Sequence, residues 1–126
     1  AQITEIGIAS SKTCAIHIPF LLATKHGRNF SYHTPYWPDL DSEVRAWNFV
    51  KEVCASPIPK IGQNFLYDLQ YLIKMGICVN NIAHDTMLEH HSLFPGVEKS
   101  LGFMASLYTN ETEWKSLRRH SNNDEE

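Results

Sequence analysis

The sequence predicts an α/β fold, a mixed sheet flanked by helices. Three observations carry that prediction. Segments 2–9 (QITEIGIA) and 13–20 (TCAIHIPF) are rich in β-branched residues and flank Ser10-Ser11-Lys12, the pattern of a β-hairpin. Val44, Trp47, Val50 and Cys54 recur at helical spacing. Downstream, short strand-like stretches alternate with cappable helical ones. The resulting order, β-β-α-β-α-β-α, calls for a sheet with helices on its faces.

After the hairpin, residues 21–38 hold Gly27, Pro35, Pro38 and several aromatics without clear periodicity, and they read as a long loop. Asp39 or Asp41 can cap a helix running to about Cys54, which Ser56-Pro57-Ile58-Pro59 ends. Residues 60–63 (KIGQ) suit a short strand. Asn64 can then cap a helix over 65–75, with Gly76 as its C′ stop. A second short strand falls within 77–83. Asp85 caps a helix to about Phe94, closed by Pro95-Gly96, and Ser100 opens another through Leu107. A last helix over 111–119 and a frayed polar tail over 120–126 complete the prediction.

The chain's 126 residues suit one domain with one hydrophobic core. No run approaches the roughly 18 apolar residues of a membrane span, and the opening AQITEIGIAS has no leader-like basic and apolar regions. Cys14, Cys54 and Cys78 are odd in number and widely spaced, so they read as packed, reduced thiols of a cytoplasmic protein. Eleven Lys and Arg against 14 Asp and Glu leave a formal charge of −3. Such a chain is a poor candidate for coating duplex by charge alone. A small site that meets phosphates through metal ions is compatible with that balance.

The stretch most informative about chemistry is KIGQNFLYDL at 60–69. A Gln-Asn pair ends a strand, and an acid follows one helical turn later, so Asp68 shares a face with the Asn64 cap. The open end of a sheet in α/β proteins is where ligands bind, and a carboxylate there suits a hard cation such as Mg²⁺. Taken alone, the same residues describe a capped helix with a solvated first-turn Asp favoured by the helix dipole.

The run from Lys60 to Tyr108 closely resembles the 3′-5′ exonuclease domain of family A DNA polymerases. GQNFLYD matches the second exonuclease motif, and HDTMLEHHSLFPGVEKSLGFMASLY resembles the helix pair that follows it. With ITEIGIAS and AIHIPF in family order before them, the resemblance covers roughly residues 2–108, and YTNETEWK looks most like phage-type polymerases. It implies a ribonuclease H-like fold, removal of mispaired 3′-terminal nucleotides from single-stranded DNA ends, and two Mg²⁺ or Mn²⁺ ions held by four acids. Several acids are needed because two dications about 4 Å apart repel strongly unless carboxylates offset them. Carried over by position, Asp68 is a metal-binding catalytic acid. Gln63, Asn64 and Tyr67 contact or position the terminal nucleotide.

The chain departs from the family in two places. The first motif, Asp-x-Glu on the opening strand, would lie just before residue 1, and the last, Tyr-x-x-x-Asp, has no counterpart in the closing SNNDEE. Of four expected carboxylates only Asp68 is matched. The expectation is therefore an incomplete exonuclease-like domain over 1–119, apparently truncated at the first strand. Metal binding should be weak and the isolated chain inactive, with the missing acids coming from a partner chain or flanking sequence and a polymerase domain as a possible neighbour. The alternative is a non-catalytic nucleic-acid-binding or interaction module that keeps the fold.

Other features read more simply. His84, His90 and His91 with Asp85 and Glu89 lack zinc-site spacing, and Asp85 is better taken as an N-cap outside the acid set. Phe30, Tyr32, Tyr36 and Trp37, with Arg28 and His33, could stack bases but fit a loop folded on the core. Phe103 and Met104 could wedge near a terminal base, although their spacing with Leu101 and Leu107 favours packing. Lys115, Arg118 and Arg119 read as a solvated basic face.

Overall fold

A computed structural model describes residues 2–111. In chain order the elements are β1 (Glu5–Ser11), β2 (Cys14–Pro19), β3 (Leu21–His26), β4 (Asn29–Pro35), α1 (Leu40–Ala55), β5 (Lys60–Gly62), α2 (Phe65–Lys74), β6 (Ile82–Asp85), α3 (Thr86–Leu93) and α4 (Leu101–Tyr108). This is the predicted α/β class, consistent with a ribonuclease H-like domain. The described strands pair two by two: β1 with β2 and β3 with β4 antiparallel, β5 with β6 parallel. Both pairing senses of a mixed sheet are present, in three ribbons.

The long loop expected over 21–38 is a correction, because most of it is the β3–β4 hairpin. Leu21 pairs with Pro35 and His26 with Asn29, with an irregularity between Leu22 and Thr24. Gly27, at φ +61°, leads the two-residue Gly27–Arg28 connection, where a tight hairpin needs positive φ. Phe30, Tyr32 and Thr34 are strand-favouring residues at alternate positions of β4. The second short strand also lies later than expected, running to Asp85. The helix predicted over 111–119, the tail 120–126 and the basic residues Lys115, Arg118 and Arg119 fall outside the described residues.

Two compact units divide the chain. The first holds the residues up to Ile58 together with Leu69–Asn80. Its core is Ile18, Phe20, Val50 and Ile77, with Ile6, Ile8, Trp37, Ala46, Trp47, Cys54 and Leu72 packed against it. Phe20 is 1% exposed and stacks on Trp47 at 3.8 Å between ring centroids. Helix α1 starts where expected: the Asp39 carboxylate accepts the Ser42 amide at 2.7 Å. Gly76, at φ +74°, closes α2. Its amide bonds to the Ile73 carbonyl and the Ile77 amide to that of Leu72, both at 2.9 Å, which are the paired bonds of a Schellman stop. The same turn delivers Ile77 into the core. Of the three cysteines expected to be packed, Cys54 is packed, whereas Cys14 and Cys78 are exposed. Cys14 is exposed because it opens β2 next to the hairpin turn.

The second unit holds Pro59–Asp68 and the chain from Asn81 onward. Its centre is polar and aromatic. His90, 2% exposed, stands among the rings of Phe94, Phe103 and Tyr108. The Glu98 carbonyl, 3.0 Å from Nε2, can only accept, so Nε2 carries the proton and Nδ1 accepts from the Tyr108 hydroxyl at 2.8 Å. Met104 is buried, as its helical spacing predicted, and Phe103 half-buried.

Candidate functional site around Asp68

Strand β5 ends at Gly62, and the chain turns into α2 through Gln63 and Asn64. The turn has two steric requirements. Asn64 sits at φ +52°, a left-handed conformation that Asn tolerates better than most residues. At Gly62 a Cβ would lie 2.1 Å from Cδ2 and 2.6 Å from Cγ of Phe65, so only glycine leaves room for that ring. The glycine and asparagine of GQNFLYD thus serve backbone geometry.

The amides at the start of α2 are received by Asp85, a residue of β6. Its Oδ1 accepts from Asn64 N–H at 3.0 Å and its Oδ2 from Phe65 N–H at 2.8 Å. The same carboxylate caps α3, accepting Met87 N–H at 3.0 Å. Parallel pairing makes this possible, because Gly62 and Asp85 are cross-strand partners. Burial pushes the Asp85 carboxyl up. The backbone amides of Phe65, Asn64, Met87 and Leu88 outweigh it and hold the group below the ordinary Asp range.

Gln63 is tied at both ends of its amide. Nε2 donates to the Lys99 carbonyl at 2.9 Å, and Oε1 accepts from the Thr86 hydroxyl at 2.5 Å, with the Gly62 carbonyl 3.3 Å from that hydroxyl. Asn64 and Tyr67 are exposed on the first turn of α2, and the Tyr67 amide bonds to the Asn64 carbonyl at 3.0 Å. Asp68 is exposed one turn into the helix and has no hydrogen-bond or ion-pair partner among the described residues. Partial desolvation and the neighbouring charge of Asp85 push its carboxyl above the ordinary range.

The structure therefore gathers the four sequence-predicted site residues on one strand-to-helix junction and separates their work. Gln63 is engaged within the protein, while Asn64, Tyr67 and Asp68 face solvent. Sequence reading missed the second role of Asp85 and the roles of Thr86 and Lys99. A strand-helix-strand order implies parallel pairing of the two strands, which brings the ends of β5 and β6 to the same side, although the register that sets Asp85 beside Gly62 does not follow from it.

The donor set limits the chemistry. Among the described residues no group of three or more His, Cys, Asp and Glu could hold a metal ion. The histidine cluster is separately employed, with His90 buried and His84 paired to Glu89. Among the described residues Asp68 has one carboxylate neighbour, Asp85, whose oxygens accept backbone amides. One carboxylate does not offset two dications, so the described residues alone do not fit a two-metal centre.

The aromatic group on and after β4 divides as well. Trp37 packs on the core of the first unit with its Nε1 buried and unpartnered among the described residues, and Tyr36 meets it edge-on at 5.2 Å. Phe30, Tyr32 and Tyr36 are exposed. No described helix is long and apolar enough to cross a membrane.

A family model described as 3′-5′ exonuclease, that of the family A DNA polymerases, matches residues 5–125. No curated protein and no solved structure matches the chain. The family match spans nearly all of the sequence, including the GQNFLYD junction and the Asp85-Thr86 pair that braces it. This chain belongs to the 3′-5′ exonuclease domain family of family A DNA polymerases.

Proposed function

We propose that the chain presents Asp68 to the 3′ end of single-stranded DNA as one acid of a proofreading phosphodiesterase site. The observation that carries this reading is the Asp68 carboxylate, unpartnered among the described residues, partly desolvated beside a like charge and flanked by the exposed Asn64 and Tyr67. Left to stability alone, such a carboxylate is unfavourable, and a cation would relieve both the desolvation and the repulsion. Asn64 and Tyr67 meet the terminal nucleotide, and Gln63, tied to Lys99 and Thr86, positions the junction beside it.

Hydrolysis uses Mg²⁺ or Mn²⁺, with Asp68 as one ligand. The other carboxylates come from flanking sequence or a partner chain. Residues 1–119 are then one incomplete exonuclease-like domain of a cytoplasmic protein, inactive in isolation and able to work beside a polymerase domain.

The test is degradation of a 5′-labelled single-stranded oligonucleotide with Mg²⁺ or Mn²⁺. Its subjects are the chain as it stands and the chain extended with an N-terminal strand bearing Asp-x-Glu and a C-terminal helix bearing Tyr-x-x-x-Asp, each with and without Asp68→Ala. The expected result is no laddering from the short chain and 3′-end laddering from the extended one that Asp68→Ala removes. Laddering by the short chain that Asp68→Ala removes would overturn the inactivity. An extended chain that binds DNA, degrades none of it and is indifferent to Asp68→Ala would establish the second reading, a binding module. That reading is favoured by the absence of a second unspent carboxylate beside Asp68 among the described residues.

A further inference from the structure

The register of β5 and β6 sets the Asp85-Thr86 dipeptide against the chain leading into α2. Asp85 receives the amides of Asn64 and Phe65 from that chain and the amide of Met87 from its own helix. An ionised carboxylate offers about four lone-pair sites, and on Asp85 three backbone amides already occupy that capacity. The Thr86 hydroxyl holds the Gln63 side chain, whose other end rests on the Lys99 carbonyl. Residues 62–65 are thus held by two adjacent residues, the last of β6 and the first of α3, and Asp68 follows within one helical turn.

We infer that Asp85 and Thr86 are positioning residues for Asp68: through Asn64, Phe65 and Gln63 they fix where α2 begins and so where the Asp68 carboxylate is presented. The functional part of this inference rests on Asp68 being the acid of an exonuclease site, while the geometric part stands apart from it. Asp68 has no brace of its own among the described residues, so its place depends on the start of its helix. That start is a turn with a left-handed Asn, whose conformation is maintained only when surrounding contacts impose it.

The experiment uses the ¹⁵N-labelled chain and reads the amide resonances and hydrogen exchange of Asn64, Phe65 and Tyr67 in Asp85→Asn, Thr86→Val, Thr86→Ser and Asp68→Asn. Asp85→Asn should move the Asn64 and Phe65 amides upfield and speed their exchange about tenfold, the scale of one lost charge-assisted bond. The Val50 amide in the other unit should not change. Thr86→Val should shift the Gln63 side-chain amide and broaden Tyr67, Thr86→Ser should restore both, and Asp68→Asn should leave all these signals in place. In the acid-completed chain, Thr86→Val should lower kcat about tenfold at unchanged KM, with Thr86→Ser recovering it.

Unchanged Asn64 and Phe65 amides in Asp85→Asn overturn the inference, whatever the DNA assay shows. If Asp85→Asn fails to fold, the Thr86 pair decides: no shift in Thr86→Val, or no rescue by Thr86→Ser, overturns it. Indifference to Asp68→Ala would remove the exonuclease reading while leaving the amide result to judge the positioning.

Discussion

Around Phe20 the chain is held by apolar burial, whereas around Asp85 it is held by hydrogen bonds to backbone. In the first unit a stacked Phe20–Trp47 pair, Val50 and Ile77 exclude water from one another. In the second, a carboxylate, a hydroxyl and a primary amide tie two strands and the starts of two helices. Apolar contact is non-directional and tolerates small shifts. Hydrogen bonds demand distance and angle, so they define where atoms sit. Catalytic groups must be held to fractions of an ångström, and Asp68, the acid proposed for the site, lies in the polar unit.

The largest test of this contrast is Phe20→Ala. Removing a ring that is 1% exposed should cost about 3–5 kcal/mol, from lost burial plus the cavity left behind. Urea unfolding followed by circular dichroism measures it. A loss below about 1 kcal/mol would mean that apolar burial does not dominate the first unit.

Gly62→Ala comes next. The new Cβ would fall 2.1 Å from the Phe65 ring, so ring and turn must shift at a cost of about 1–3 kcal/mol. The thermal midpoint should fall, and the amides of residues 62–65 should move with it. A wild-type midpoint would show that the junction is looser than its hydrogen bonds imply.

The smallest effect has the opposite sign. The Asp68 carboxyl is raised, so the folded chain binds its proton more tightly than the unfolded chain does. Its ionisation therefore weakens the fold as pH rises from the ordinary Asp range to the raised value. Asp68→Asn removes that loss. It should stabilise the chain at pH 7 by less than about 1 kcal/mol, because an exposed carboxylate is screened, and the gain should vanish below the ordinary Asp range. Urea midpoints at pH 3 and pH 7 check the sign, and destabilisation at pH 7 would mean that Asp68 supports the fold.

Much of this was legible in the chain itself. Asp39, Asp85 and Ser100 mark helix starts through bonds reaching only two or three residues ahead, and Gly76 marks a stop through bonds within its own turn. Such signals are local and survive in any tertiary setting. The β3–β4 hairpin was missed because Gly27, Pro35 and Pro38 carry loop signals and Leu21–His26 shows no alternation of its own. GQNFLYD located the junction and the family, and it named Gln63, Asn64, Tyr67 and Asp68 as candidates, of which the structure leaves the last three exposed.

The sequence by itself therefore determined where α1, α3 and α4 begin, where α2 stops and which acid stands one turn into α2. Only the tertiary structure decided that Asp85 braces that helix and that Gln63 is spent on Thr86 and Lys99. Those bonds join residues 20 to 36 positions apart. They exist because parallel pairing sets Gly62 beside Asp85, and a strand's register is fixed by its partner, which no local pattern encodes.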